Sequence, residues 1–141
     1  MMNGVNGRME IRDYKEYNED EILRLYDAVG WVAYTKNPQA LREGYRNSLL
    51  TLAAYEKDEM LGIIRVVGDN ATIIFVQDIV VFPEHQRKGV GSALLRAVME
   101  RFAHVRQLEL ATDCTPKTIA FYKSLGFFEF SEIGCCGFMK N

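Results

Sequence analysis

The spacing of apolar residues changes along the chain between a period of two, typical of strands, and a period near 3.6, typical of helices. Alternation or a short apolar run predicts strands at 8–14, 50–56, 60–68, 72–82, 107–112, 127–132 and 135–140. The runs 50–56 and 60–68 flank the short polar segment "KDE", which is typical of a hairpin. In 72–82 the polar pair Gln77 and Asp78 interrupts two apolar runs, and this predicts a bulge.

Helical spacing predicts four helices between these strands. The first begins after Asp20, the expected N-cap, and stops at Gly30. A second has Pro38 in its first turn and reaches about Ser48. Apolar residues at i, i+3, i+4, i+7, i+8 and i+12 from Val90 predict the third, and the fourth covers 115–125.

The predicted order β, α, α, β, β, β, α, β, α, β, β places the chain in the α+β class. We expect a mixed, mostly antiparallel sheet of about six to seven strands with about four helices on its faces. Residues 8–141 contain no repeat or linker, so we expect them to form a single domain, and residues 1–7 to be a disordered or non-native start.

Composition limits the classes of function. Of the 141 residues 48% are hydrophobic and 26% charged, and the net charge of −2 gives no general attraction to nucleic acid. No apolar run approaches the ~20 residues of a membrane helix. Cys114, Cys135 and Cys136 form neither a disulfide nor a zinc pattern, so we expect a reduced, cytoplasmic protein without a bound metal.

One turn carries candidate chemistry. "PEHQRKGVGSALL" (83–95) follows a strand and opens a helix. Gly89 and Gly91 let the backbone approach a ligand closely, Arg87 and Lys88 add positive charge, and the helix N-terminus presents free N–H groups. These features predict a phosphate or diphosphate cradle, or alternatively a polar surface turn. No G-x-x-x-x-G-K-[ST] is present, which excludes a P-loop.

The spacing within this turn resembles the acetyl-CoA motif of the GNAT superfamily of N-acetyltransferases, written [QR]-x-x-G-x-[GA]. Here it reads Gln86-Arg87-Lys88-Gly89-Val90-Gly91. The segment "IAFYKSLGF" (119–127) is similar to the second landmark of that superfamily, a helix ending in F-Y-x-x-x-G-F. The element order also agrees with the GNAT acyltransferase fold.

The resemblance implies an acetyl-CoA site. Backbone amides of the turn would hold the CoA diphosphate, and the preceding strand would part from its neighbour and pair with the pantetheine arm. Thr115 stands where many relatives have Asn, and its hydroxyl could reach the cofactor. The implied cofactor-binding residues are Ile79, Val80, Val81, Gln86, Arg87, Lys88, Gly89, Val90, Gly91, Ser92 and Thr115.

The resemblance also implies catalytic roles. Tyr122 matches the tyrosine that protonates the leaving thiolate, although a core tyrosine fits the same helix. Asp78 is a candidate general base, a candidate electrostatic anchor for the acceptor, or the partner of a salt bridge to Arg65. His85 is an alternative base, but it lies on the phosphate side of the turn. An acyl intermediate on Cys114 has no supporting residues nearby in the sequence.

The implied activity is transfer of an acetyl group from acetyl-CoA to a primary amine of a small molecule or protein by direct attack. Trp31 and Tyr34 could wall the acceptor pocket, or could belong to the packing. The alternative function is a CoA-binding sensor or interaction module without turnover. A homodimer through the apolar segment 133–140 is expected, and neither nucleic acid nor membrane is expected as a partner.

Overall fold

The computed structural model describes residues 8–140, so the expectation for residues 1–7 lies outside the described residues. The chain divides into two compact units, one ending at Ala111 and the other beginning at Thr112. The single domain expected over 8–141 stays a prediction.

The first unit is a five-stranded sheet in the order β1-β2-β3-β4-β5, with four helices. The first four strands pair antiparallel, and β4 and β5 pair parallel. This confirms the α+β class and the mixed, mostly antiparallel sheet. The elements are β1 (Met9–Asp13), α1 (Glu19–Ala28), α2 (Val32–Thr35), α3 (Pro38–Arg46), β2 (Leu50–Glu56), β3 (Glu59–Gly68), β4 (Ile73–Val81), α4 (Val90–Arg101) and β5 (Gln107–Leu110).

The starts of the first helices follow capping chemistry. Asn18, not Asp20, caps α1, because its side-chain oxygen accepts the N–H of Glu21. Asn37 caps α3 in the same way, directly before Pro38. The short helix α2 was not predicted, since its four residues are too few to show a period.

Helices cover both faces of the sheet. Buried residues of α1 and α3 pack with Ala53, Ile63 and Val80 on one face. Leu52, the neighbour of Ala53, lines a groove with Ala97 of α4. Because successive residues of a strand point to opposite faces, α4 covers the other face.

A β-bulge in β4 changes which face its side chains occupy. Arg65 of β3 pairs with Asp78, but the next residue, Val66, pairs with Val76, so Gln77 is the extra residue. This confirms the predicted interruption. Without the extra residue, alternation would put Asp78 on the α4 face with Val76; the bulge turns it toward α1 and α3.

The strands β4 and β5 part immediately after this point. Their parallel pairing runs from Ile73 opposite Gln107 to Val76 opposite Leu110 and ends there. The second half of β4 continues to pair with β3, from Asp78 to Val81. One edge of that half of β4 is therefore not paired with β5.

The second unit contains the helix α5 (Pro116–Ser124). The predicted closing strands 127–132 and 135–140 are wrong. A 3₁₀ helix covers Phe130–Ile133, and 135–140 has no regular structure. The physical reason is local: Glu129 and Glu132 form a reciprocal capping box, and Gly134 ends the turn with a φ of 78°.

None of the helices within 8–140 combines the length and the apolar composition that crossing a bilayer requires.

Candidate active site

The turn before α4 is open at the helix end. Gly89 occupies the N-cap position in a left-handed conformation with a φ of 85°, and no side chain caps the helix. The N–H of Ala93 donates to the Gly89 carbonyl at 3.0 Å, so the N–H groups of Val90, Gly91 and Ser92 form the free first turn. The helix dipole adds partial positive charge at this place. An anionic group fits this end of the helix.

The flanking side chains shape the same turn. Arg87 and Lys88 are exposed, and Arg87 itself has a positive φ of 63°. The Gln86 side chain donates from Nε2 to the Val81 carbonyl at 3.1 Å, which ties the turn to the end of β4. His85 lies beside Glu59, with Nε2 3.1 Å from Oε2.

A buried ion pair lies at the bulge. Arg65 is 5% exposed and Asp78 3% exposed. Nε and Nη2 of Arg65 donate to Oδ2 of Asp78 at 2.9 and 2.6 Å. Of the three alternatives that the sequence left open for Asp78, this geometry supports the salt bridge.

Tyrosine hydroxyls complete the coordination of this carboxylate. Tyr26 donates to Oδ2 and Tyr34 to Oδ1, each at 3.0 Å. With the two bonds from Arg65, the Asp78 carboxylate accepts four hydrogen bonds, three at Oδ2 and one at Oδ1. Protein donors therefore replace much of the hydration that this buried carboxylate has lost.

The directions of the surrounding hydrogen bonds follow from the carboxylate. Because Tyr26 donates its only proton to Asp78, the 2.8 Å bond between Tyr26 and Tyr45 has Tyr45 as donor. Likewise Tyr34 donates to Asp78 and accepts from Nε2 of Gln77 at 3.4 Å. Burial raises the pKa of Tyr26, Tyr34 and Tyr45, so these phenols stay protonated donors at neutral pH.

The guanidinium of Arg65 is enclosed by α3. Its carbon lies 5.0 Å from the centroid of the Tyr45 ring, and Nη1 donates to Ser48 at 3.2 Å. A Cβ at Gly44 would come within 3.2 Å of Nη1. The ion pair therefore links β3 and β4 to α3, and its tyrosines link it to α1 and α2.

The predicted acceptor-side aromatics lie on this network. Tyr34 packs edge-on against Tyr26, with ring centroids 5.1 Å apart, and Trp31 lies 6.1 Å from Tyr34. Trp31 is 38% exposed, so part of its ring remains accessible. The structure thus brings Trp31, Tyr34 and Asp78 together at the bulge.

Two further polar residues lie near this point, and the sequence reasoning did not select them. Gln77 is the bulge residue and is exposed. Glu109 of β5 is partly buried and pairs with Phe75 of β4. The parallel register, which brings Glu109 beside β4, has no short-range signal in the sequence.

The second unit contains Thr115 and Tyr122. The Oγ1 of Thr115 accepts the N–H of Thr118 at 3.2 Å and caps α5, and the Asp113 carboxylate accepts the Thr115 N–H at 3.1 Å. Burial raises the pKa of Tyr122, and the charge of Asp113 adds to this rise. Because its pKa is raised above the usual value, Tyr122 is a protonated phenol at neutral pH, and within the described residues no group hydrogen bonds to its hydroxyl.

Residues 12–127 match the model of the acetyltransferase (GNAT) family. A solved GNAT-family acetyltransferase from Streptococcus pneumoniae is 34% identical, with a TM-score of 0.85 over 94% of this chain and 97% of that chain. A probable acetyltransferase from Staphylococcus aureus, 23% identical over 94% of this chain and 99% of that chain, has the same fold with a TM-score of 0.75. The uncharacterized N-acetyltransferase ycf52 of Pyropia yezoensis is 28% identical over 82% of this chain and 67% of its own length.

Asp78→Asn is expected to lower the free energy of unfolding by about 3–5 kcal/mol, because it leaves the buried Arg65 cation without its counter-charge. Urea denaturation measures this loss. The matched control is Asp58→Asn in the exposed β2–β3 turn, which should stay within about 0.5 kcal/mol of the unchanged protein. Equal stabilities of the two variants would contradict the structural role of the ion pair.

Proposed function

The chain belongs to the GNAT family of acetyltransferases and is an acyltransferase, and we propose that it moves an acetyl group from acetyl-CoA to a primary amine by direct attack. The observation that carries the proposal is the uncapped start of α4 beside the parted strands β4 and β5. The acceptor is a small molecule or an exposed protein amine.

The residues of the turn fit a CoA diphosphate. The free amides of the first turn of α4 supply donors, and Arg87 and Lys88 supply charge. The backbone of Ile79–Val81 lies in the half of β4 that β5 does not cover, and it suits an extended pantetheine arm as an added strand. Thr115, which caps α5, offers a hydroxyl as a further contact.

Acetyl transfer to an amine requires three contributions from the protein. The amine must be held and relieved of a proton, the thioester oxygen needs a donor, and the thiolate needs a proton. Tyr122, kept protonated by its surroundings, is proposed as the acid for the thiolate. Asp78 is proposed as a positioning residue rather than the base, because Arg65, Tyr26 and Tyr34 already occupy its oxygens. It orients Tyr34, which with Trp31 is proposed to wall the acceptor pocket.

We keep a cytoplasmic location as part of the proposal, since Cys114, Cys135 and Cys136 are all free thiols on the surface.

Gly91→Val is expected to abolish the rise in melting temperature that acetyl-CoA produces in the unchanged protein, because a branched side chain blocks approach to the free amides. Thermal denaturation with and without acetyl-CoA measures it. The control is Arg96→Val on the exposed face of the same helix, which places the same side chain in α4 and should retain the shift. If acetyl-CoA still raises the melting temperature of Gly91→Val, the diphosphate does not bind at this turn.

Tyr122→Phe keeps the ring and removes the proton donor. General acid catalysis is typically worth ~10²–10⁴-fold, so kcat should fall by that factor while acetyl-CoA affinity changes little. The measurement is CoA release with a panel of primary amines, which also separates an enzyme from a CoA-binding module without turnover. Phe121→Leu, a change of the neighbouring ring, is the control for packing. Turnover near that of the unchanged protein would eliminate Tyr122 as the acid, and water would take its place.

A homodimer through the segment 133–140 is proposed because the part of the chain that the structure describes leaves its apolar side chains exposed: Phe138 is 94% and Met139 90% exposed. Light scattering at micromolar concentration should give twice the chain mass, and Phe138→Ser should reduce it. A monomer mass for the unchanged protein would contradict the dimer.

A further inference from the structure

The bonding of Asp78 places the one carboxylate of β4 in a buried ion pair. It accepts four hydrogen bonds from protein donors, three at Oδ2 and one at Oδ1. Its neighbour Gln77 has an amide side chain, which does not titrate. Since Tyr34 gives its one proton to Asp78, Gln77 must turn its Nε2 toward Tyr34, and the amide orientation is fixed.

Glu109 places a second carboxylate at the same part of the sheet. It pairs with Phe75, and Phe75 pairs with Val67 of β3. Paired residues share a face of the sheet, and so do residues two apart along a strand, so Glu109 and Phe75 face the same side as Arg65. This is the side of α1 and α2, where Tyr34 and Asp78 lie.

The Glu109 carboxylate has few bonding partners among the described residues. Its one hydrogen bond within the described residues comes from Nε2 of Gln107, at 3.2 Å. No Lys, Arg or His of residues 8–140 forms an ion pair with it. It stands one residue before Leu110, where the pairing of β4 and β5 ends. It is thus a partly buried, uncompensated anion beside the opening between the strands.

We propose that Glu109 is a catalytic residue that binds the acceptor amine and accepts its proton, an assignment that rests on the proposed acetyl transfer. The substrate class that it selects is a primary amine that arrives as a cation. The accessible faces of Trp31 and Tyr34 on the same side add cation–π attraction for such a group.

The proton balance of the step is complete without a further reactant. The ammonium first loses one proton to Glu109, which releases it to solvent, and the freed lone pair attacks the thioester carbonyl carbon to form the C–N bond. The C–S bond then breaks, and the electron pair leaves with sulfur. The thiolate gains a proton from Tyr122 or water, and the second proton lost by nitrogen replaces it, so the products are the amide, the CoA thiol and one proton in solvent.

The charged or titratable groups around the bulge on this face are Arg65 of β3, Asp78 of β4, Tyr26 of α1, Tyr34 of α2 and Tyr45 of α3. They form one hydrogen-bonded network. Urea denaturation of the Glu109 variants checks that this network is intact. If a variant unfolds like the unchanged protein, a change in its pH profile is caused by Glu109 and not by a rearranged ion pair.

Glu109→Gln tests the assignment against Glu100→Gln, a matched change on α4 at the opposite face of the sheet. The pH dependence of CoA release is measured with benzylamine, phenethylamine and 1,4-diaminobutane. Glu109→Gln should lower kcat by ~10²–10⁴-fold and remove the acidic limb of the profile, because an amide does not titrate. Glu109→Asp should restore that limb at reduced rate, and Glu100→Gln should match the unchanged protein.

The single tryptophan of the chain, Trp31, provides a readout that does not require turnover. With CoA bound, benzylamine should change the Trp31 fluorescence of the unchanged protein and of Glu100→Gln, with at least tenfold weaker binding to Glu109→Gln. If Glu109→Gln releases CoA at the rate and with the pH profile of the unchanged protein, the assignment of Glu109 is wrong and acetyl transfer still stands. If no amine causes release of CoA, the proposed acetyl transfer is wrong. In that case, benzylamine binding that is equal or absent in the unchanged protein and in Glu109→Gln shows separately that the role of Glu109 is wrong.

Discussion

The buried ion pair between Arg65 and Asp78 is the interaction on which the first unit depends. A charge taken out of water is tolerated only where partners replace its hydration, and here both ions are almost inaccessible. The replacement comes from three helices and the residue Ser48 that follows α3: Tyr26 and Tyr34 donate to the carboxylate, while Tyr45 and Ser48 contact the guanidinium. The positions of α1, α2 and α3 on the sheet are therefore tied to one pair of side chains.

The bulge at Gln77 makes this arrangement possible. One extra residue turns Asp78 from the α4 face to the face of Arg65, and the same distortion lies where β4 parts from β5. The turned carboxylate and the unpaired strand edge have different roles. The turned carboxylate stabilises the fold, and the unpaired edge of β4, continued by Gln86 into the free amides of α4, is the surface on which the proposed acetyl-CoA site depends.

The bonding of Asp78 also bears on which carboxylate is proposed to accept the proton of the amine. The bonds to a buried, paired carboxylate offset the cost of its burial, so a structural role uses them fully. Asp78 has four such bonds, two of them from Arg65. Within residues 8–140 the Glu109 side chain has one amide donor and no ion-pair partner, which is why the proposal assigns the acceptor amine to it. The network instead orients Tyr34 and Gln77, whose exposed parts meet Trp31 at the bulge.

The sequence by itself determined the elements that local chemistry controls. Apolar spacing located α4 and the β2–β3 hairpin, the polar pair marked the bulge, and the glycine turn marked the helix start and the family. Where two local signals competed, the sequence reasoning chose wrongly: Asn18 and not Asp20 caps α1, and the Glu129–Glu132 capping box overrides the alternation that resembled a closing strand. Only the tertiary structure decided the partners of Asp78 and the position of Glu109. Both follow from long-range pairing and packing, which for Asp78 join residues 13 to 52 positions apart, and no spacing within a short window of sequence encodes such contacts.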